Sequence, residues 1–259
     1  MKIIVCVKQV PAKDSSLRLS EDSTWVRESD ISFEINEPDA FALEEGLRLK
    51  EKHGGEVIVC SVGPARVQTV IREALAKGAD RAIHIEEDSA SKLDSYLSAR
   101  LMAEALRSEK ADLILAGLQS DDLGFGQTGV VLAELLGLPH ATIIMEVQVQ
   151  DNALKVKREL EAGWFQWVEI PLPALLTIQS GINKLRYATL KGIKAAKTKE
   201  VRRVTAAELG VKLAEMPERQ RIERIYVPVK TKKTEFIDGA PKEAAAALVQ
   251  KLQREARVL

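Results

Sequence analysis

Short apolar runs rich in β-branched residues alternate along the chain with segments whose apolar positions recur every three or four residues. The runs are Lys2–Val7, Glu56–Val62, Arg81–Ile85 and Asp112–Ala116. They have strand length rather than helix length, so they predict strands. Between them, Ala40, Leu43 and Leu47 fall at i, i+3 and i+7 within Pro38–His53, and Gly54-Gly55 closes that segment as a helix end. Arg66–Lys77 likewise puts Val67, Val70, Ile71 and Ala74 on one face before Gly78. Leu93–Ser108 stacks Leu93, Tyr96, Leu97 and Leu101, and a helix from about Gly126 to Leu136 stops at Gly137-Leu138-Pro139. Strands joined through crossover helices run parallel, which predicts an α/β fold: a doubly wound, mainly parallel sheet.

The pattern changes after Pro139. Ala141–Gln150, Leu154–Leu160, Trp164–Ile170 and Ala174–Gln179 read as strands with short turns such as Asp151-Asn152 and Ala162-Gly163, so antiparallel strands are added. Beyond Gly181 the hydrophobic density falls. A short helix at Thr205–Leu209, an irregular stretch through Pro228 and a final helix around Pro241–Glu255 are expected there. Residues 1–180 are thus read as the α/β domain, and 181–259 as a C-terminal arm that packs on something else.

Composition narrows the class. The 259 residues are 46% hydrophobic and 29% charged, with 38 bases against 38 acids, as in a soluble globular protein. The balance hides a division, because residues 181–259 hold 19 Lys and Arg against 9 Asp and Glu. That stretch has only Tyr187, Tyr226 and Phe236 to stack on bases, so nucleic acid is not the expected partner. An acidic protein surface, or the chain's own acidic body, suits it equally. Cys6 and Cys60 lie in apolar runs and form no CxxC motif, which excludes a disulfide framework. With no apolar run of membrane-spanning length and no signal-like start, no membrane insertion and a cytoplasmic location are expected.

Ligands of doubly wound sheets bind beyond the carboxyl ends of strands, so the loops there carry the candidate chemistry. The loop after Val7 is long and ends in Asn36-Glu37-Pro38-Asp39; the loop after Val62 is Gly63-Pro64. The most informative is Gly117-Leu118-Gln119-Ser120-Asp121-Asp122-Leu123-Gly124-Phe125-Gly126-Gln127-Thr128-Gly129. Gly124–Gly129 matches G-x-G-x-x-G in letters, but seven residues separate it from its strand, so it is not the tight dinucleotide turn. Two readings fit: a glycine-rich loop wrapping a mononucleotide phosphate at a helix N-terminus, or a flexible connection whose last glycine serves packing. Asp121-Asp122 could suggest Mg²⁺, but no Walker-type Gly-Lys-Ser/Thr accompanies it, and a solvated acidic loop is the plainer reading. His53, His84 and His140 are isolated, and no nucleophile elbow or Cys–His pairing is present, so neither catalytic residues nor metal ligands are assigned. Glu44, Glu45 and Glu51 with Arg48, Lys50 and Lys52 read as a solvated, ion-paired helix face.

Several segments together resemble the beta subunit of electron-transfer flavoproteins. They are VKQVP at the start, Asn36 followed by Ala42-Leu43-Glu44-Glu45, Val62-Gly63-Pro64, Leu75–Ala82, Gly117…Gln127-Thr128-Gly129, and above all Asn183-Lys184-Leu185-Arg186-Tyr187-Ala188-Thr189-Leu190. The resemblance covers essentially the whole chain and is nearest to an AMP-containing bacterial branch. It implies a fold like the adenine nucleotide alpha-hydrolases, with an arm embracing a larger alpha subunit in a heterodimer. It implies an electron carrier rather than an enzyme: FAD sits mainly on alpha and accepts electrons from transiently docked dehydrogenases, while this chain holds a structural AMP. The AMP contacts it implies are Cys6, Asn36, Glu37, Pro38, Asp39, Val62 and Gly117 through Thr128. Leu190 would anchor the docked dehydrogenase, with Arg186, Tyr187, Lys191 and Lys194 around it, and Glu159 would contact alpha near the flavin. Lys13 and Pro38 stand where some members place an aromatic near the flavin, and Leu185 replaces the usual proline. Electron-bifurcating members carry a second FAD and oxidise NADH, with a loop that Gly117-Leu118-Gln119-Ser120-Asp121-Asp122 does not match; they remain one alternative. A stand-alone adenine-nucleotide sensor is the other.

Overall fold

The computed structural model describes residues 1–89, 93–229, 231 and 234–259. By their contacts these fall into two units, Met1–Arg224 and Ile225–Leu259.

In the first unit the predicted parallel strands are β1 (Lys2–Cys6), β4 (Glu56–Gly63), β5 (Arg81–Glu86) and β6 (Leu113–Gly117), with β2 (Gln9–Pro11) and β3 (Phe33–Ile35) forming a small antiparallel hairpin of their own. The later strands are β7 (His140–Val149), β8 (Ala153–Glu159), β9 (Phe165–Pro171), β10 (Ala174–Ile178) and β11 (Val201–Thr205). The main sheet runs β11-β5-β4-β1-β6-β10-β7-β8-β9, parallel from β11 to β7 and antiparallel through β8 and β9. Alternation sorts its side chains. Ile3, Val5 and Val7 meet α1 (Glu37–His53) and α2 (Gln68–Lys77) on one face. Ile4 and Cys6 meet α3 (Ser95–Leu106) and α4 (Thr128–Leu136) on the other. Helices on both faces explain why these strands read as unbroken apolar runs.

The sequence beyond Gly181 contributes more to this unit than its composition suggested. Leu190–Ala196 is a helix, α5, and Val201–Thr205 is β11, which adds to the sheet edge beside β5. The helix expected at Thr205–Leu209 is instead a turn, in which Glu208 accepts the N–H and hydroxyl of Thr205. Helix α5 is capped by the Thr189 hydroxyl, which accepts the Gly192 N–H at 3.0 Å. It lies so close to α2 that a Cβ at Gly192 would come within 2.2 Å of the Ala76 carbonyl oxygen.

The face expected to be a solvated acidic stripe is covered. Glu44 and Glu45 are 94% buried, because the Asn183–Arg186 segment folds onto α1. Arg186 Nε and Nη2 lie 2.8 and 3.0 Å from the two oxygens of Glu44, and its Nη1 and Nη2 lie 2.5 and 3.1 Å from Glu51. Asn183 Nδ2 donates to the Phe41 carbonyl and to Glu45. The guanidinium in turn holds the Glu51 carboxyl below its ordinary range.

The second unit contains α6 (Pro241–Arg254), none of whose side chains is buried, and it exposes Phe236, Leu248 and Val249. Among the described residues no helix is long and apolar enough to cross a membrane.

Removing the guanidinium strands Glu44 as a buried, unpaired charge, so Arg186→Ala is expected to lose about 3 kcal/mol in urea unfolding. Adding Glu44→Gln should return part of that loss, and a single variant as stable as the parent would contradict the clamp.

Candidate functional site

The chain reverses its direction of travel across the sheet between β1 and β6. From β1 it builds β4 and β5 on one flank, then returns to lay β6 on the other. The carboxyl ends of β1 and β6 therefore part around a crevice, where doubly wound sheets take their ligands. The crevice encloses about 1210 Å³, solvent at its mouth included.

Its floor is organised by the first turn of α1. Asp39 Oδ2 accepts the Lys8 N–H at the exit of β1 at 2.7 Å, and Oδ1 accepts the Gly117 N–H at the exit of β6 at 2.8 Å. Position 117 must be glycine, since a Cβ there would sit 2.3 Å from Asp39 Oδ1. Burial pushes the Asp39 carboxyl up to about 7, against the two backbone N–H groups that favour its charged form. Asn36 joins the long loop to the glycine-rich one: its Nδ2 donates to the Gln119 carbonyl at 3.0 Å and its Oδ1 accepts the Asp121 N–H at 2.9 Å. Asp121 in turn accepts the Glu37 N–H at 3.2 Å, supplying a cap to the start of α1. Beyond this knot the loop turns through the Gly124 N–H, which donates to the Ser120 carbonyl, and enters α4 at Thr128, where the first N–H groups of the helix lack intrahelical acceptors.

Of the residues expected here, Cys6, Asn36, Asp39, Val62, Gly117, Leu118, Gln119, Ser120, Asp122, Leu123, Phe125, Gly126, Gln127 and Thr128 line one crevice. Glu37, Pro38, Asp121 and Gly124 do not line it; Glu37, Asp121 and Gly124 build its wall through the bonds just described, and Pro38 opens α1. Lys8, Gln9, Trp25, Phe33 and Arg66 also line it, and sequence reasoning missed them. Gln9, Trp25 and Phe33 come from the β2–β3 hairpin and its connection, whose three-residue strands carry too few positions to show alternation, whereas Lys8 leaves β1 and Arg66 lies in the turn after β4. Arg66 stacks on the Phe33 ring at 3.9 Å and pairs with Glu28 at 3.0 Å.

The crevice's ionisable groups offer little for turnover. Burial raises the Cys6 thiol well above its ordinary range and that of Cys60 to about 12, so neither is a thiolate nucleophile. His84 is buried with Nε2 2.8 Å from the Gly63 carbonyl oxygen, a structural contact under the crevice rim. Among the described residues no group of three His, Cys, Asp or Glu is placed to hold a metal ion.

The other expected residues lie elsewhere. Tyr187 and Leu190 are 94% and 81% exposed, with Lys191 and Lys194 exposed beside them, whereas Arg186 is committed to Glu44 and Glu51. Glu159 ends β8 and accepts the Gln179 amide at 3.2 Å. Next to it β9 turns Phe165 and Trp167 outward, with Lys157 Nζ 4.2 Å from the centre of the Phe165 ring.

Residues 24–209 match the electron transfer flavoprotein domain. The chain is 41% identical over 257 residues to the electron transfer flavoprotein subunit beta of Methylophilus methylotrophus, covering 96% of this chain and 97% of that one. The Bacillus subtilis protein of the same description is 32% identical over the full length of both, and the Homo sapiens one is 38% identical over 82% of this chain and 84% of its own. The chain belongs to the electron transfer flavoprotein beta-subunit family. It is thus an electron-carrier subunit and not an enzyme in its own right.

The buried Asp39 gives a pH signature. Its ordinary value is near 3.9 and its folded value is about 7. Between those values the folded chain holds the proton more tightly than the unfolded one, so this group's contribution to stability is full below about pH 4 and is lost as pH rises to about 7. Asp39→Asn should flatten the pH dependence of unfolding free energy across that window; an unchanged slope would contradict the buried carboxyl as its source.

Proposed function

We propose that this chain is the beta subunit of a heterodimeric electron transfer flavoprotein, in which the crevice holds AMP as a structural nucleotide that is never consumed. The observation that carries this reading is the convergence of the β1 exit, the first turn of α1 and the 117–129 loop on one crevice, knotted by Asp39 and Asn36. The residues fit an adenylate. Val62, Leu118 and Met102 offer apolar surface for a base, and the loop brings glycines and the N–H groups of α4 to a phosphate. The two loops meet through Asn36, Glu37 and Asp121, and a ligand bridging them would stabilise the fold by mass action.

FAD, borne mainly by the alpha subunit, would supply the redox chemistry by taking up and releasing electrons. This chain's part is to bind and orient. Leu190 projects as an apolar knob, flanked by Tyr187, Lys191 and Lys194, and such a knob can anchor a transiently docked dehydrogenase while charge steers its approach. Glu159 and the aromatic edge of β9 suit the face turned to alpha near the flavin. The second unit, with an unburied α6 and exposed Phe236 and Leu248, suits the arm that embraces alpha.

Mass spectrometry of the nucleotide released on denaturing the purified complex should find one AMP per chain. A second FAD there would favour the bifurcating alternative, and no nucleotide would overturn the reading of the crevice. Leu190→Ala should slow flavin reduction by the partner dehydrogenase roughly tenfold or more, the scale of a lost anchor, with the bound-flavin spectrum unchanged. An altered spectrum with normal transfer would refute the docking role.

A further inference from the structure

The phosphate end of the crevice has a charge conflict. A glycine-rich loop leading into a helix attracts anions, yet this one carries two adjacent acids, Asp121 and Asp122, with Asp39 behind it. Each acid is satisfied differently. Asp39 has both oxygens on backbone N–H groups, and Asp121 is turned to the N–H of Glu37, at the positive end of α1. Asp122 alone of the three meets a cation. Its Oδ1 lies 2.6 Å from Lys8 Nζ, with its own side chain only 10% exposed and that of Lys8 39% exposed. The same ammonium donates to the Ser120 hydroxyl at 3.3 Å, so two of its three donors rest on the glycine-rich loop and one remains.

The cations among the described lining residues are Lys8 and Arg66. Arg66 is locked, with its guanidinium on Glu28 and Gln9 and stacked on Phe33. Lys8 is the lining cation whose flexible stem reaches the loop. Its backbone is fixed, because its N–H goes to Asp39 and its carbonyl accepts the Asn36 N–H at 2.9 Å, so only the head of the side chain is free to swing.

We infer that Lys8 is the residue that reads the phosphate. Resting on the AMP reading above, the inference is that its ammonium neutralises Asp122 and donates its remaining hydrogen to a phosphate oxygen. The crevice then distinguishes a nucleoside monophosphate from the bare nucleoside through this side chain together with the N–H groups of the loop and α4. Without Lys8 the loop presents an uncompensated carboxylate to the phosphate, and the same residue that admits the anion is what keeps Asp122 from repelling it.

The test titrates the full-length chain, stripped of nucleotide and held at one ionic strength, with AMP and separately with adenosine by calorimetry. Lys8→Met is expected to weaken AMP about ten- to a hundredfold, the worth of one charge-assisted hydrogen bond, while adenosine binds within about twofold of the parent. Lys8→Arg should keep the preference for AMP. Asp122→Asn, which frees the ammonium, should bind AMP as tightly as the parent or tighter, and it provides a readout should Lys8→Met fail to fold. Equal AMP affinity in parent and Lys8→Met, an equal loss of AMP and adenosine, or AMP lost by Asp122→Asn with adenosine kept would each overturn the role of Lys8. A parent chain that binds neither compound would overturn the AMP reading itself.

Discussion

One carboxylate ties together the carboxyl ends of the two strands that flank the crevice. Asp39 sits in the first turn of α1 and accepts the N–H groups that leave β1 and β6, the two strands between which the chain switches direction. Its position explains the glycine at 117, whose missing side chain is the space the carboxylate occupies. It also explains why the long first loop, the helix start and the glycine-rich loop share one crevice rather than standing as three separate loops. The cost is a buried acid, and the structure offsets it with two backbone donors and a site that gains from being bridged.

The chain's second constraint is the double attachment of residues 183–199. Arg186 and Asn183 hold the segment to α1, while the close approach of Gly192 and the bonds from Arg72 to the Ala196 and Lys199 carbonyls hold α5 to α2. Fixed at both ends, the intervening turn presents Tyr187 and Leu190 to solvent without depending on its own packing. In the proposed docking role, a preorganised knob of this kind loses little conformational freedom on binding. Helix α1 thus serves both features, the crevice at its first turn and the clamp from Phe41 to Glu51.

Much of this was legible in the sequence. The parallel strands read directly because helices cover both faces and force continuous apolar runs; the loop at 117–129 reads either as a phosphate-wrapping loop or as a flexible connection, and its residues line the crevice. What was not legible depended on distant partners. Val-Arg-Arg-Val-Thr at 201–205 reads as base-rich coil, since an edge strand buries little and pairs with β5 more than a hundred residues away. Glu44 and Glu45 read as surface because only their cover, Asn183–Arg186, buries them. The Thr205–Leu209 helix failed because the Thr205 and Glu208 side chains favour a local turn over helix propagation. Lys8 was passed over as one lysine after a strand, although its place beside the strand's carboxyl end was the available signal.

The most direct measurement is the nucleotide bound per chain in Gly117→Ala. The added methyl group collides with the Asp39 carboxylate and with the Pro38–Asp39 backbone at the start of α1, and the account predicts a chain that keeps its far-ultraviolet circular dichroism but retains less than about a tenth of the parent's nucleotide. A variant that folds and still carries one nucleotide per chain would show that the Asp39 knot is not what forms the site.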